Sequence, residues 1–192
     1  MIGLFGGAFD PPHNGHVALL AAAREAFGLE DVVVVVAAAP GHKQVSLPAA
    51  TRLDLARAAF PGETIVLDDH PRTIDAVRAH PEWKGAIFLV GADEFAGFLE
   101  WKEPDELLRR VRLGVATRPG YPRDRLDAVL AALEQPDRVV FFDLAPQQVA
   151  SSGLRAALDR GDDVHDELPP GVWELIEREG LYGRVRSYTG SA

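Results

Sequence analysis

Five consecutive valines, Val32 to Val36, constrain the fold of this chain more than any other feature of its sequence. A continuous run of β-branched residues is typical of a strand that is buried on both faces, as in a parallel sheet covered by helices. The apolar run that contains them ends at Pro40 and is about half the ~18 residues that a membrane span requires. The run therefore predicts an interior strand and not a membrane segment.

Strand-like and helix-like segments alternate along the rest of the chain. The pattern predicts strands at 2–5, 31–38, 64–67, 86–90, 113–116 and 139–144, and helices at 16–27, 48–60, 73–80, 104–110, 123–133, 152–160 and 171–178. Strands separated by helices imply parallel βαβ units with right-handed crossovers. We expect an open, doubly wound α/β sheet with helices on both faces, and a ligand at the carboxyl ends of its strands.

The composition fits one folded domain. The chain has 192 residues, of which 47% are hydrophobic and 26% charged, and these values exclude wholesale disorder. We expect a single domain over residues 1–183, with a C-terminal helical part at about 151–183 and a flexible tail at 184–192. Cysteine is absent, which excludes disulfides, thiolate metal sites and cysteine nucleophiles.

The charge balance narrows the range of partners. The net charge of −9 argues against a nucleic-acid partner and against an anionic membrane, but it leaves room for a local basic pocket that binds a nucleotide. The N-terminus shows no secretion signal, so a cytoplasmic location is the default expectation. The oligomeric state stays open, including a homo-oligomer.

The segment between the first strand and the first helix carries the most chemical information. It reads Gly6-Gly7-Ala8-Phe9-Asp10-Pro11-Pro12-His13-Asn14-Gly15-His16. Glycines let the backbone approach a ligand closely, and the start of the following helix offers N–H groups and a positive dipole end to a phosphate. The segment is neither a Walker loop nor a dinucleotide fingerprint, so the histidines and the helix start would have to hold the phosphates.

Two other interpretations of this segment stay open. In a structural interpretation, His13 and His16 cap the helix and Asp10 hydrogen-bonds a turn. In a metal interpretation, the two histidines bind zinc, which needs a third ligand that the spacing does not supply.

The segment closely resembles the Gly-x-Phe-Asp-Pro-x-His-x-Gly-His signature of the nucleotidyltransferase superfamily, and the resemblance implies a Rossmann-like sheet. A second stretch, Ala150-Ser151-Ser152-Gly153-Leu154-Arg155, resembles the Ile-Ser-Ser-x-x-Arg element of the adenylyltransferases. Ser151 or Ser152 could cap the next helix, and Arg155 could then grip phosphates from one turn inside it. Taken alone, this second stretch is more typical of an ordinary capped helix that carries a surface arginine.

Further elements are similar to those of bacterial nicotinate-nucleotide adenylyltransferases, over residues 1–183. Pro40-Gly41-His42-Lys43 is similar to their Pro-x-His-Lys, and Gly91-Ala92-Asp93 to their Gly-x-Asp on the adenosine side. Trp101 resembles a tryptophan that stacks on the pyridine ring, and Arg52 and Arg118-Pro119-Gly120 also match. One departure is Arg72, which precedes Thr73 where the family often has an aromatic residue, and a cation there would suit the carboxylate of nicotinate.

The resemblance implies adenylyl transfer from ATP to nicotinate mononucleotide by direct in-line displacement, which yields deamido-NAD and pyrophosphate. It assigns His13, His16 and Arg155 to catalysis. It assigns ATP binding to these three residues and to Gly6, Gly7, Phe9, Gly91, Asp93, Ser151 and Ser152. It assigns the acceptor to Ala8, His42, Lys43, Arg72, Thr73, Trp101 and Arg118. Mg²⁺ would arrive with ATP and have few protein ligands, so no dedicated metal site is expected.

Several alternatives remain at this point. Nicotinamide mononucleotide, phosphopantetheine or the acceptor of a cytidylyl transfer could replace nicotinate mononucleotide on the same scaffold. A non-catalytic nucleotide sensor and a purely structural α/β module are rivals of a different class, and a tRNA synthetase is disfavoured by the short, acidic chain. Single residues also have ordinary interpretations: a packing side chain for Trp101, a solvated loop for His42 and Lys43, a turn for Asp93 and a surface ion pair for Arg118.

Overall fold

The computed structural model describes residues 1–41, 44–118, 121–146 and 149–184. The strands are β1 (Ile2–Gly7), β2 (Asp31–Ala37), β3 (Thr64–Asp68), β4 (Ile87–Gly91), β5 (Arg112–Thr117) and β6 (Val139–Asp143). The helices are α1 (Asn14–Phe27), α2 (Ala49–Ala59), α3 (Thr73–Ala79), α4 (Ala92–Ala96), α5 (Pro104–Arg110), α6 (Arg123–Ala132), α7 (Ser151–Asp159) and α8 (Pro170–Glu179). Each element expected from the sequence is present, with bounds that differ by at most two residues.

The six strands form one sheet in the order β3-β2-β1-β4-β5-β6, and every neighbouring pair is parallel. This confirms the doubly wound α/β fold. The chain leaves β1 toward β2 on one side and later returns to β4 on the other, so the switch point lies between β1 and β4. In open sheets of this kind a ligand binds beyond the carboxyl ends of the strands at that point.

The valine run forms an interior strand, as expected. Alternate side chains of the sheet enter two separate apolar cores, so Val34 and Val36 pack on one face and Val35 on the other. The first core lies against α1, α2, α7 and α8, and the second against α3 to α6. The interior strands are therefore buried from both sides, which explains why their sequences do not alternate with polar residues.

Helix α4 was not expected from the sequence. It begins directly after β4 with Gly91 as its N-cap, and it has only five residues, too few to show a helical period. The side chain of Phe95 is fully buried in the second core and anchors this turn. Its role in the fold is to carry the chain sharply away from the end of β4.

The register of the central strands opens a crevice at the switch point. The pairing between β1 and β4 ends with Phe5 opposite Leu89, whereas β1 continues along β2 until Gly7 lies opposite Val36. Beyond Phe5, the ends of β1 and β4 therefore separate. Gly6 and Gly7 lie at this point, where a Cβ atom on either would come within 3.0 Å of the ring of Phe88 or Phe9.

The C-terminal segment folds back onto the domain. After α8, the one-turn 3-10 helix Leu181–Gly183 is followed by Arg184, whose guanidinium donates to the carbonyls of Gly161 and Asp162 and lies 4.6 Å from the ring centre of Trp173. The rest of the expected tail, 185–192, lies outside the described residues. No helix in the described part of the chain is both long enough and apolar enough to cross a membrane.

Candidate active site

The loop between β1 and α1 (residues 8–13, hereafter the β1–α1 loop) brings two imidazoles to the mouth of the crevice. His13 is the N-cap of α1, and its backbone N–H donates to Nδ1 of His16 at 3.2 Å. A ring nitrogen that accepts a hydrogen bond carries no proton, so in neutral His16 the proton is on Nε2. The structural interpretation of these histidines is thus right in part, because His16 does cap the helix, and the capping bond also fixes its tautomer.

His13 is nearly buried, with 8% of its surface exposed. Burial lowers its pKa to about 4, so the ring is neutral at pH 7. Its ring centre lies 3.8 Å from that of His16, and its Nδ1 has no hydrogen-bond partner within the described part of the chain. A buried polar atom without a partner is uncommon in folded proteins and marks a place where a ligand atom can bind.

Gly15 makes room for this arrangement. A Cβ atom there would lie 3.0 Å from Nδ1 of His13 and 3.1 Å from Cγ1 of Val149, which is tighter than ordinary packing. The spacing His-x-Gly-His therefore has a steric reason, since a side chain between the histidines would displace the His13 ring.

We expect Gly15→Ala to lower kcat by about 10-fold or more, because a small displacement of a catalytic group causes a large loss of rate. Alanine favours the helix, so a fall in thermal stability is not the expected cause. Gly97→Ala is the matched control, because its Cβ would meet only the carbonyl of Glu94 at 3.8 Å. Steady-state rates of both purified variants check this, and a wild-type rate for Gly15→Ala would contradict the steric role.

A second helix start points at the same loop. The hydroxyl of Ser151, in the first turn of α7, donates to the carbonyl of Pro11 at 2.9 Å. The first turns of α1 and α7 contain no acidic residue, so nothing in them neutralises the positive ends of the two helix dipoles. Although the chain is acidic overall, this point favours an anion.

The expected cap of α7 by Ser151 or Ser152 is wrong. The N-cap is Ala150, which lies one position earlier and makes no side-chain cap. The Ser151 hydroxyl instead bonds to the β1–α1 loop, and Ser152 is exposed in the first turn. Ser151 therefore joins two segments that are far apart in sequence.

Arg155 reaches the β1–α1 loop from α7, one turn inside that helix. Its guanidinium donates to the carbonyl of Asp10 at 2.7 Å and to the carbonyl of Gln44 at 3.3 Å. These contacts use two of the five N–H donors of the group. Arg155 thus lies at the predicted site while it also fastens the loop.

Asp10 is almost completely buried, and its carboxylate accepts the hydrogen bonds that connect the loop to distant segments. Its Oδ1 accepts a hydrogen bond from the hydroxyl of Tyr182 at 2.7 Å, and its Oδ2 accepts one from the backbone N–H of Ser46. Burial, and next the bond to Asp10, raise the pKa of Tyr182 above its ordinary range, so the phenol keeps its proton. The sequence suggested only a local turn for Asp10 and did not show its distant partners.

Arg52 is the largest fully buried side chain in the described part of the chain. Its guanidinium donates to the carbonyls of Ala8, Ala37 and Ala38 at 2.7–2.8 Å and to that of Leu47 at 3.1 Å. Burial lowers its pKa and the nearby carboxylate of Asp10 partly offsets that effect. Arg52 therefore holds together the chain segments that leave β1 and β2.

Phe9 lies under the site rather than in it. Its ring is 1% exposed and packs edge-on against Phe5 and Phe60, with ring centres 5.5 Å and 5.7 Å away. Its backbone has a φ of 50°, a left-handed conformation that costs a bulky residue of order 1 kcal/mol or more. Only the backbone of Phe9 could therefore contribute to ATP binding. Its ring supports His16, whose ring centre is 5.2 Å away.

The residues expected on the adenosine side follow β4. Gly91 ends that strand, and the carboxylate of Asp93 accepts a hydrogen bond from the hydroxyl of Tyr121 at 2.9 Å. Arg118, at the end of β5, lies 6.0 Å from the ring centre of Tyr121. The strand order thus places Arg118 beside Asp93, on the opposite side of β1 from the strand β3 that precedes Thr73. Its assignment to the acceptor side remains a prediction.

The described residues expected on the acceptor side, apart from Ala8 and Arg118, lie on or near α3. Arg72 is the exposed N-cap of that helix and Thr73 its first residue. The half-buried Trp101 packs edge-on against Phe88 with ring centres 6.1 Å apart, so its packing interpretation also holds. Lys102 donates to Asp75 at 2.8 Å and joins the tryptophan segment to α3. His42 and Lys43 lie outside the described residues, as do Pro119 and Gly120.

In the described ranges, no third metal-ligating side chain joins His13 and His16. The side chains in the described ranges that come close enough to share an ion are Asp68, Asp69 and His70, at the end of β3. There the backbone and ring N–H groups of His70 bond to Oδ1 of Asp68, which closes a turn, and Asp69 is 94% exposed.

Comparison with known proteins agrees with this geometry. Residues 4–187 match the family model described as cytidylyltransferase-like. The chain is 35% identical over 195 residues to a probable nicotinate-nucleotide adenylyltransferase of Rubrobacter xylanophilus, covering 94% of this chain and 91% of the relative. It is also 35% identical over 193 residues to a protein of that name from Thermus thermophilus, with 94% and 98% covered.

Solved structures show the same fold. Nicotinic acid mononucleotide adenylyltransferase of Plasmodium falciparum superposes with a TM-score of 0.74 when complexed with NaAD and 0.73 when complexed with APC. The identities are 18% and 17%, over 97% of this chain and 98% of each structure. The chain is a nucleotidyltransferase that belongs to the cytidylyltransferase-like family and, within it, to the nicotinate-nucleotide adenylyltransferases.

Proposed function

We propose that the chain transfers the adenylyl group of ATP to nicotinate mononucleotide and forms deamido-NAD and pyrophosphate, as a step of NAD biosynthesis. The observation that carries the proposal is the convergence of two helix starts, two histidines and Arg155 on one loop at the switch point. The names of the relatives support the choice of acceptor.

The reaction requires little covalent chemistry from the protein. A phosphate oxygen of the mononucleotide attacks the α-phosphorus of ATP, the bond from that phosphorus to the bridging oxygen breaks, and pyrophosphate leaves with the electron pair. The attacking phosphate is already an anion, so the step needs no general base. The protein has to align the two phosphates and stabilise the charge that develops on the transferring and leaving groups.

The β1–α1 loop suits that task. His16, with its tautomer fixed by the His13 backbone, would donate from Nε2 to a phosphate oxygen. The unpartnered Nδ1 of buried His13 and the start of α1 would meet the same triphosphate. Ser152 and Arg155 would hold its distal part from α7. His16 and Arg155 are held by hydrogen bonds before substrate arrives, and such preorganisation is the property that makes charge stabilisation effective.

Mg²⁺ fits the site as a companion of ATP rather than as a resident ion. Asp10 is the only acidic residue among residues 6–16 and the first turn of α7, and both of its oxygens already accept hydrogen bonds. Phosphate oxygens and water would therefore supply most of the ligands of Mg²⁺. When bound, the ion neutralises phosphate charge, and the residues of the loop and of α7 orient the phosphates.

The two substrates would lie on opposite sides of the loop. Gly91 and Asp93 beyond β4 would bind the adenosine, and the surroundings of α3, with Thr73 and Trp101, would bind the pyridine nucleotide. Arg72 would add a cation for the carboxylate of nicotinate. His42 and Lys43, in the loop after β2, are proposed for the acceptor phosphate.

Pyrophosphate release tests this proposal. The purified chain is given ATP and Mg²⁺ with nicotinate mononucleotide, nicotinamide mononucleotide or phosphopantetheine in separate reactions. We expect the first acceptor to give the highest kcat/KM. A preference for another acceptor would keep adenylyl transfer and overturn the acceptor, and ATP binding without release from any of the three would favour the sensor.

A further inference from the structure

We infer that Tyr182 is a positioning residue for adenylyl transfer, because its hydroxyl orients the Asp10 carboxylate that joins the β1–α1 loop to the loop after β2. The inference rests on the proposed function for its effect on rate. The contact itself can be tested without any substrate.

The Asp10 carboxylate connects three segments that are distant in sequence. Its Oδ1 accepts from the hydroxyl of Tyr182, 172 residues away, at 2.7 Å. Its Oδ2 accepts from the backbone N–H of Ser46, in the loop between β2 and α2. Asp10 is 1% exposed, so water does not compete for these bonds. Rotation of the carboxylate would break both contacts together.

In the proposed reaction, the two joined loops contact the reacting phosphates of the two substrates. The first leads into His13 and His16, and the second contains the residues proposed for the acceptor phosphate. Their separation therefore decides whether the attacking oxygen reaches the α-phosphorus in line. Because misplacements of about 1 Å can cost 100-fold in rate, a bond that sets this separation acts on turnover more than on binding.

The C-terminal turn is built to hold the hydroxyl in place. Tyr182 has a φ of 54° and lies two residues after Gly180, which is the left-handed C-cap of α8 with a φ of 65°. Left-handed backbone at a bulky residue persists only where the surroundings enforce it. The contacts of Arg184 with the carbonyls of Gly161 and Asp162 fix the far end of the turn. The hydroxyl is thus positioned before any substrate binds.

The groups around the carboxylate do not replace that hydroxyl. Arg155 donates to the backbone carbonyl of Asp10, and Arg52 donates to that of Ala8. Both cations therefore fix the backbone of the loop, whereas Tyr182 and Ser46 fix the orientation of the carboxylate. Removing the hydroxyl would leave Oδ1 of a buried carboxylate without this donor.

The test is Tyr182→Phe, which keeps the ring and removes only the hydroxyl. We expect kcat to fall about 10-fold while KM for ATP and for nicotinate mononucleotide stays within about 2-fold. Val129→Ala is the control for a general loss of stability, since Val129 is buried on α6 in the core of the opposite face. We expect it to lower the melting temperature and leave kcat unchanged.

Amide hydrogen exchange of the free protein gives a second measurement. We expect Tyr182→Phe to speed exchange at residues 13–16 and 44–47, and Val129→Ala not to do so selectively. Unchanged exchange in both segments would overturn the contact, and an unchanged kcat or an effect on KM alone would overturn the positioning role. If the wild type is inactive with every acceptor, the proposed function fails, while the exchange comparison still decides whether the hydroxyl holds the two loops.

Discussion

Replacing His16 with alanine is expected to lower kcat by about 100-fold or more, the usual loss when one preorganised charge-stabilising donor is removed. Its Nδ1 accepts from the backbone N–H of His13, so the neutral ring carries its proton on Nε2, and the ring centres of Phe9 and Phe5 lie 5.2 Å and 6.0 Å from that of His16. The ring is therefore held in one orientation before ATP binds. Steady-state kinetics with ATP and nicotinate mononucleotide give the measurement.

The folding contribution of His16 can be separated from its catalytic one. Losing the cap of α1 would lower the free energy of unfolding by about 1 kcal/mol. A thermal melt will detect this loss, which is too small to unfold the protein at the assay temperature. His80→Ala is the matched control, because that histidine stacks on Trp83 and pairs with Glu82 away from the loop. A folded His16→Ala protein with near-normal turnover would refute the assigned role.

Arg52→Leu is expected to reduce the free energy of unfolding by about 3–5 kcal/mol, the loss typical of breaking a buried charged network. Leucine removes the donors to the carbonyls of Ala8, Ala37, Ala38 and Leu47, and it removes a cation that lies near buried Asp10. Domains of this size are stable by only about 5–15 kcal/mol, so the variant will be marginal. Urea unfolding followed by circular dichroism measures the change.

Arg57→Leu on the same helix is the control for the second prediction. Arg57 is exposed and pairs with Asp54 one turn earlier, a surface pair worth at most about 1 kcal/mol. Arg52→Lys keeps the charge but cannot reach four carbonyls, so its stability should fall between those of the wild type and Arg52→Leu. An Arg52→Leu protein that unfolds at the wild-type urea concentration would contradict the structural role of this residue.

The sequence predicted those features whose causes are local or periodic. The valine run and the alternation of strands and helices determined the parallel sheet, because burial on both faces leaves a readable pattern. The position of the β1–α1 loop followed from the same alternation. Helix α4 was not predicted, because a helix of five residues is too short to show a helical period in the sequence.

The distant contacts of the site could not be read from the sequence. Nothing in the sequence around Asp10 indicates that its carboxylate bonds to Tyr182 and Ser46. The motif around Ser151 suggested a helix cap, but in the structure the Ser151 hydroxyl donates to the carbonyl of Pro11. Such contacts depend on where the fold brings segments together. The cytoplasmic location, the homo-oligomer and the individual substrate assignments remain predictions.

The most direct test of the central claim is to identify the product. Wild type and His16→Ala are incubated with ATP, Mg²⁺ and nicotinate mononucleotide, and the mixtures are analysed by mass spectrometry. We predict deamido-NAD and pyrophosphate in equal amounts from the wild type, with a rate lower by about 100-fold for the variant. ATP hydrolysis without a dinucleotide, or equal rates from both proteins, would contradict the claim that the loop of His13 and His16 transfers an adenylyl group to this acceptor.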